Sequence, residues 1–242
     1  MHIQRVLVSE NGNFYYVRNL DQDFHTKEGF IKKDDLQKSQ IVSNLNVKFY
    51  SFEPSFPDVY RKIKRLPQII PLKDLGFIAA ETGLGKESIV VDAGAGSGAA
   101  SIFFANIAKE VFTYEIRMDF IEGVEKNIES TKTNNLTIKA KSVYNGIDEK
   151  NVDLVMLDLP EPWNAIQHGF DALKPGGFLV SYSPTMPQVQ DFVDGVNKIE
   201  GLIITKVVEI SEREWEVNMR KVRPRSQAIG HSGFIVVARK VM

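Results

Sequence analysis

The stretch from Ser88 to Ser101, Ser-Ile-Val-Val-Asp-Ala-Gly-Ala-Gly-Ser-Gly-Ala-Ala-Ser, carries the residues best suited to hold a nucleotide-like ligand. Ile89, Val90 and Val91 form the unbroken apolar run of a central parallel strand, and Asp92 is expected to end it. Gly94, Gly96 and Gly98 then permit a tight turn and a close approach of main chain to ligand, with Ser97 between them. A helix opening at Gly98 and Ala99 would offer free N–H groups. The spacing Gly94-x-Gly96-x-x-Ala99 also satisfies the dinucleotide fingerprint, so on this motif alone a nicotinamide or flavin protein stays open, as does an ordinary strand-to-helix turn. Glu115 ends the next strand, close to the spacing at which an acid accepts hydrogen bonds from ribose hydroxyls. Asp158-Leu-Pro-Glu-Pro-Trp163 closes a further strand. Pro160 and Pro162 stiffen that turn and remove N–H donors, which leaves carbonyls and Asp158 to face a substrate and Trp163 to stack on it; a stiff turn with a core tryptophan is the structural alternative. From Arg213 to Arg225 five basic side chains fall within thirteen residues, with Trp215 and His231 nearby. Arg223, Arg225 and His231 could grip phosphates, although Glu209, Glu212 and Glu214 make a self-paired surface the competing reading.

Composition narrows the classes. The chain of 242 residues balances 30 Lys and Arg against 31 Asp and Glu, so no global field draws it to nucleic acid or membrane, and any polyanion site must be a local patch. It has no cysteine, which excludes disulfides, thiolate metal sites and a cysteine nucleophile, and with it methyl transfer to pyrimidine C5 through a cysteine adduct. With only four histidines, no metal ligand set is expected. There is no leader-like N-terminus and no apolar run of membrane-spanning length, so a cytoplasmic protein without a membrane partner is the expectation.

These residues need elements to hold them. The first fifty residues show short β-prone runs, Ile3 to Val8 and Phe14 to Val17 around the hairpin signal Asn11-Gly12-Asn13, then Phe30-Ile31, Ile41-Val42 and Val47 to Tyr50. This predicts a small all-β domain over residues 1–58, with Pro54 and Pro57 as a linker and the basic run Arg61 to Arg65 after it. From residue 59 helices and strands alternate: a helix from Leu72 to Thr82, strands at 89–91, 110–114, 136–140, 152–157 and 178–182, helices between them, a turn at Lys174-Pro-Gly-Gly177, and closing strands at 203–210 and 234–238. Such alternation predicts a mainly parallel α/β sheet covered on both faces, with an antiparallel pair at one edge, over residues 59–242.

The loop Asp92-x-Gly94-x-Gly96-x-Gly98 resembles the first motif of S-adenosylmethionine-dependent methyltransferases, whose Rossmann-like domain has a seven-stranded sheet. Gln68-Ile-Ile70, Tyr114-Glu-Ile-Arg117, Asp158-Leu-Pro-Glu-Pro-Trp163, Arg223-Pro224 and His231-Ser-Gly-Phe234 extend the likeness to the tRNA adenine-N1 methyltransferases acting on adenosine 58 of the T-loop, the single-subunit archaeal and bacterial type. Phe24-His-Thr26 and Gly29 echo the small N-terminal domain of that family. The resemblance implies S-adenosyl-L-methionine as cofactor, held by Gln68, Asp92, Gly94, Gly96, Ser97, Gly98, Ala99, Glu115, Ile116, Ser142, Val143 and Asp158. It implies tRNA as partner, held by Pro160, Trp163, Arg223, Arg225 and His231, a homotetramer, and, in archaeal members, adenosine 57 as a further target. Asp158 is then the catalytic residue, accepting a hydrogen bond from the exocyclic amine of a flipped adenine; its loop is chemically similar to the Asp-Pro-Pro-Tyr loop of enzymes that methylate adenine amino groups. Two departures stand out: Ser142 occupies the position where related methyltransferases place an Asp that reads the cofactor's adenine, and Pro71-Leu72 replaces an aromatic or polar residue followed by proline. Two other classes fit the same core: a non-catalytic partner subunit that binds tRNA, and a small-molecule methyltransferase or decarboxylase of the corrin type.

Overall fold

Alternation of apolar residues with turn signals at Gly12 builds the first hairpin, β1 (Arg5–Ser9) and β2 (Phe14–Val17), antiparallel with Val8 opposite Phe14. The computed structural model describes residues 2–65, 69–226 and 230–242. It divides the chain into two compact units, Met1–Lys64 with Glu125–Thr133, and Arg65–Val124 with Asn134–Met242.

In the first unit, β3 (Phe24–Thr26) and β4 (Gly29–Ile31) form a short hairpin, while β5 (Gln40–Val42) and β6 (Lys48–Phe52) join the first two strands in a sheet of order β2-β1-β6-β5. One face of that sheet buries Leu7, Val17, Ile41 and Phe49 against Ile31 and Leu36. The expected linker at Pro54 and Pro57 contains a one-turn helix instead, α1 (Phe56–Tyr60). Asp58 accepts a hydrogen bond from the Ser55 N–H at 2.9 Å, and Pro57 sits in the first turn, where its missing donor costs nothing.

The second unit carries α2 (Leu72–Glu81), β7 (Ile89–Ala93), α3 (Ala99–Ala105), β8 (Glu110–Tyr114), α4 (Met118–Thr131), β9 (Leu136–Lys139), β10 (Val152–Leu157), α5 (Ile166–Ala172), β11 (Leu173–Ser183), α6 (Met186–Val196), β12 (Leu202–Glu209), β13 (Trp215–Asn218), β14 (Lys221–Pro224) and β15 (Phe234–Lys240). The last part of α4 belongs to the first unit, where Asn127 exchanges two 2.9 Å hydrogen bonds with the main chain of Lys64. Seven strands form one sheet of order β12-β15-β11-β10-β7-β8-β9, parallel from β11 to β9, with β15 antiparallel between β11 and β12. Its central strands are covered on both faces: Val91, Val155 and Leu179 face Ile166 and Phe192, whereas Val90, Met156 and Val180 face Leu75, Ile78 and Phe104. This is why those strands read as continuous rather than alternating apolar runs.

Three local expectations are corrected. Asp92 does not end β7, which runs on to Ala93. Leu173 to Gly177 is part of β11, in which Val152 pairs with Leu173 and Leu154 with Phe178, so the glycine-containing segment bulges out of a continuing strand. Between β12 and β15 the Arg-rich segment forms its own hairpin, β13–β14. Its residues carry high β-propensity at Trp215, Val217 and Val222, but most are exposed, so no buried alternation announced it.

Candidate active site

The chain reverses direction across the sheet between β7 and β10, and at such a switch point the carboxyl ends of two neighbouring strands open a crevice. The main chain joins these ends directly. Asp158 N–H donates to the Ala93 carbonyl at 2.6 Å, and a side chain on Gly94 would come within 3.3 Å of the Asp158 carbonyl oxygen. Gly94 therefore lets the glycine loop lie against the Asp158 turn. The loop is tied to β8 by Ala95 N–H donating to the Tyr114 carbonyl at 3.1 Å.

The glycines do two different jobs. Gly98 has φ +75°, and a Cβ there would stand 2.9 Å from Val124, so its bareness admits α4. Gly96 has φ +54° with open space where a side chain would project. The main chain at Gly96 thus faces an open side of the loop, which a ligand could cover. Ser97 and Ala99 are buried behind it.

Glu115 leans back over this loop. Its Oε1 accepts the N–H groups of Ile116 at 2.9 Å and Arg117 at 3.0 Å, and its Oε2 accepts that of Gly96 at 3.3 Å. A carboxylate has about four acceptor positions, so one, on Oε2, remains open to a ligand hydroxyl. Next to it Ile116 is 66% exposed, an apolar side chain on the surface of the crevice end of β8. After β9, Val143 is buried and Ser142 Oγ accepts the Tyr144 N–H at 3.3 Å, capping a short 3-10 turn. Gln68 lies outside the described residues.

Two carboxyls titrate abnormally here. Asp92 is buried, its Oδ2 accepts from Ser101 and Thr113, and its Oδ1 has no hydrogen-bond partner among the described residues. Burial pushes it up to about 6, with the Glu115 charge adding to the rise. Asp158 keeps a path to solvent, yet no described donor reaches its carboxylate. Desolvation, reinforced by the Asp92 charge, pushes it up to about 7. An acid poised at neutrality beside a glycine loop is suited to accepting or stabilising a proton. An unpartnered buried oxygen, an uncovered glycine loop and spare acceptor capacity on Glu115 are together what a polar, cationic nucleoside ligand would satisfy.

The remaining expected residues are placed less uniformly. Pro160 is exposed and its carbonyl accepts from Gln188 Nε2 at 3.0 Å. Trp163 is half-buried and packs on the core beside Ile166. Arg223 pairs with Glu216 at 3.2 Å and Arg225 with Glu214 at 3.0 Å. His231 has both ring nitrogens engaged, Nδ1 with Glu209 at 2.5 Å and Nε2 with the Pro184 carbonyl at 2.9 Å, and the Glu209 carboxylate raises its pKa.

A model of the family described as tRNA methyltransferase complex GCD14 subunit matches residues 57–233. The chain belongs to this family. It is similar to the tRNA (adenine(57)-N(1)/adenine(58)-N(1))-methyltransferase TrmI of Methanocaldococcus jannaschii, at 33% identity over 99% of this chain and 95% of that one. A tRNA (adenine(58)-N(1))-methyltransferase TrmI of Thermus thermophilus is 28% identical over 90% of this chain and 88% of its own. Among solved structures, a SAM-dependent O-methyltransferase of Thermotoga maritima superposes with a TM-score of 0.86 at 30% identity, covering 99% of this chain and 93% of that chain. The fold of the tRNA (m1A58) methyltransferase TrmI of Aquifex aeolicus matches with a TM-score of 0.80 at 24% identity, over 99% and 97% of the two chains. The Rossmann-like methyltransferase fold and the small N-terminal β domain are thus as expected. Among the described residues no helix is long and apolar enough to cross a membrane, and no cluster of three His, Asp or Glu could hold a metal ion.

Sequence reasoning passed over one group at the same sheet edge. Tyr182, near the carboxyl end of β11, donates to buried Asp74 at 3.1 Å, and Asp74 also takes Lys73 at 2.8 Å and Ser232 at 2.9 Å. Burial raises the Tyr182 pKa, and the Asp158 charge contributes to the rise. The strand-end rule that pointed to Asp158 applies equally to Tyr182. Asp74 carried no signal, because an acid in the first turn of a helix reads as solvated.

Proposed function

We propose that this protein transfers the methyl group of S-adenosyl-L-methionine to N1 of adenosine 58 in the T-loop of tRNA. Family membership and the named activities of its relatives support the reaction class. The single observation that carries the reading in this chain is Asp158, an unpartnered carboxyl raised to about 7 against the glycine loop.

The cofactor supplies an electrophilic methyl group. Gly94, Gly96, Ser97, Gly98 and Ala99 would hold it along the loop, Glu115 would take a ribose hydroxyl, and Ile116 and Val143 would flank its adenine, with the Ser142 hydroxyl at the rim and Asp92 beneath. Gln68 completes the proposed set. Asp158 accepts a hydrogen bond from the exocyclic amine of the target adenine. As N1 gains its methyl group the ring becomes cationic and that amine more acidic, so the carboxylate stabilises the charge or takes the proton. The base must leave its stack to be reached, and Pro160 and Trp163 are the proposed walls of its site. Arg223, Arg225 and His231 are proposed on the phosphates, in a homotetramer supported by the family resemblance.

Incubation of pure protein with labelled cofactor and unmodified tRNA, then nucleoside analysis and primer extension, tests this. The expected product is 1-methyladenosine with a stop at position 58. Label in a 2′-O-methylated nucleoside, or none in tRNA, overturns the reading; a second stop at 57 extends it.

A further inference from the structure

The chain leaves the main sheet after β12 and returns at β15, and the segment between them carries the β13–β14 hairpin with Arg223 and Arg225. Among the described residues β13 and β14 pair only with each other, and Trp215, Val217, Met219 and Val222 are all more than half exposed. An arm without a buried face takes no direction from packing, so its direction is set at its two roots.

Two cations stand at those roots, and both are fully engaged there. Lys73, at the start of α2 and largely buried, donates from Nζ to Asp74 at 2.8 Å, to the Ile210 carbonyl at 2.6 Å and to the Ser232 hydroxyl at 2.7 Å, which uses all three donors of an ammonium. Ile210 follows β12 and Ser232 lies just before β15, so one side chain fastens the outgoing and the returning chain. His231 makes a second fastening beside it. Its Nδ1 faces Glu209, the last residue of β12, at 2.5 Å, and its Nε2 faces the Pro184 carbonyl, just past the end of β11, at 2.9 Å.

The chemistry of those two partners fixes the charge of the ring. A carboxylate and a main-chain carbonyl only accept, so both contacts exist together only when both ring nitrogens carry protons. A neutral ring has one N–H and must turn a lone pair toward one of the two oxygens. The Phe234 ring lies 4.7 Å from the imidazole, centre to centre, and Lys73, itself paired with Asp74, opposes the charge. Glu209 outweighs it, with the Pro184 carbonyl adding, and raises the ring above its ordinary 6.5.

We infer that His231 is a positioning residue: while protonated it latches the roots of the arginine-bearing arm to the end of β11 and so sets the arm for tRNA phosphates, and loss of its proton releases the arm. The inference rests on tRNA being the substrate and on the arm gripping it. A phosphate beside His231 would meet its charge but not its N–H groups, which point inward.

Two measurements on the full-length protein test this. Nitrogen NMR of histidine-labelled protein reads the ring without RNA, with the His231 signals identified by their absence in His231→Asn. Both nitrogens are expected to be protonated at about pH 7, with one proton lost at higher pH, and Glu209→Gln should bring that step down in pH. A bare ring nitrogen at about pH 7 in the parent overturns the latch. The second measurement titrates tRNA binding from about pH 6 to 9. Parent affinity is expected to fall by about 5- to 150-fold as the ring loses its proton, and His231→Asn to bind weakly and evenly across the range. Glu209→Gln should bind tRNA more weakly than the parent at about pH 7.5, with cofactor affinity within about twofold. Were His231 a direct phosphate contact, Glu209→Gln would free a cation and tighten binding, and that result overturns the positioning role. A pH-dependent fall that persists in His231→Asn belongs to another group and overturns it too, as do equal losses of tRNA and cofactor affinity, which mark a merely structural contact. A parent that binds no tRNA at any pH, with its ring titrating as expected, defeats the proposed function rather than the latch.

Discussion

Asp158 holds an acid near neutrality by two physical means, burial and the neighbouring Asp92 charge. Only its ionised form can accept a proton or stabilise a cationic adenine, so kcat/KM is expected to rise with pH through about 7 with unit slope and level off above. Asp158→Asn should remove that inflection and about 10²–10⁴ of the rate, leaving tRNA binding intact. Persistence of the inflection in the Asn variant would assign the titration to another group. At Ser142 the expectation runs the other way. Its Oγ only caps the Tyr144 N–H, a task an Asp performs as well. Ser142→Asp should therefore fold normally and bind cofactor about fivefold tighter, as a charged acceptor replaces a neutral one; weaker binding in calorimetry would contradict the placement of adenine there. Asp158 was legible in the sequence because a strand end followed by two prolines leaves few structural uses for an acid. The true setting of Asp92 was not, since a carboxyl buried under Ser101 and Thr113 looks in one dimension like any strand-terminal acid.

The β13–β14 hairpin shows how an element changes the meaning of its residues. Glu216 holds Lys221 at 2.5 Å and Arg223 at 3.2 Å, and Glu214 holds Arg225. Exposed pairs of this kind contribute about 0–1 kcal/mol, too little to keep an arginine from a phosphate. Glu216→Gln is accordingly expected to tighten tRNA binding and steepen its salt dependence by about one unit per freed contact, and Arg223→Ala to weaken binding and flatten it. Identical slopes in all three proteins would remove the hairpin from the tRNA interface. Elements with a buried face were the ones legible beforehand: β8 and β10 start and stop where their apolar runs do, and α6 buries the Val189, Phe192 and Val196 stripe. Elements without one were not. The hairpin has no core side, α1 is set by a local cap, and the bulge in β11 depends on pairing with β10, a partner some twenty residues away.

For the whole molecule, the abnormal acids make stability depend on pH in a direction opposite to the usual acid denaturation. Asp92 and Asp158 sit near 6 and 7 when folded, against 3.8 for an ordinary Asp. Between about pH 4 and 7 the folded state therefore binds more protons than the unfolded one. Stability from these two groups is complete below about 4 and is lost as pH rises through 6 to 7. His231, raised by Glu209, acts in the same sense at somewhat higher pH. The opposing groups work elsewhere on the scale. Glu28, held near 2 by hydrogen bonds from Asn11 and Tyr15, and Asp148, lowered by Lys141, stabilise above their ordinary values and lose that effect only in stronger acid. The two windows meet near the ordinary carboxylate values, so the cofactor-free protein is expected to melt highest near about pH 4 and progressively lower toward pH 8. Asp158→Asn isolates the cause. It removes the charge that burial penalises, so it should be more stable than the parent at pH 8, by on the order of a few kcal/mol, and match it near about pH 4. A catalytic carboxyl kept at the expense of stability accounts for that difference. Parallel melting curves for the two proteins from pH 4.5 to 8 would mean that Asp158 is not desolvated in the free enzyme, and the neutral inflection expected in kcat/KM would lose its physical basis.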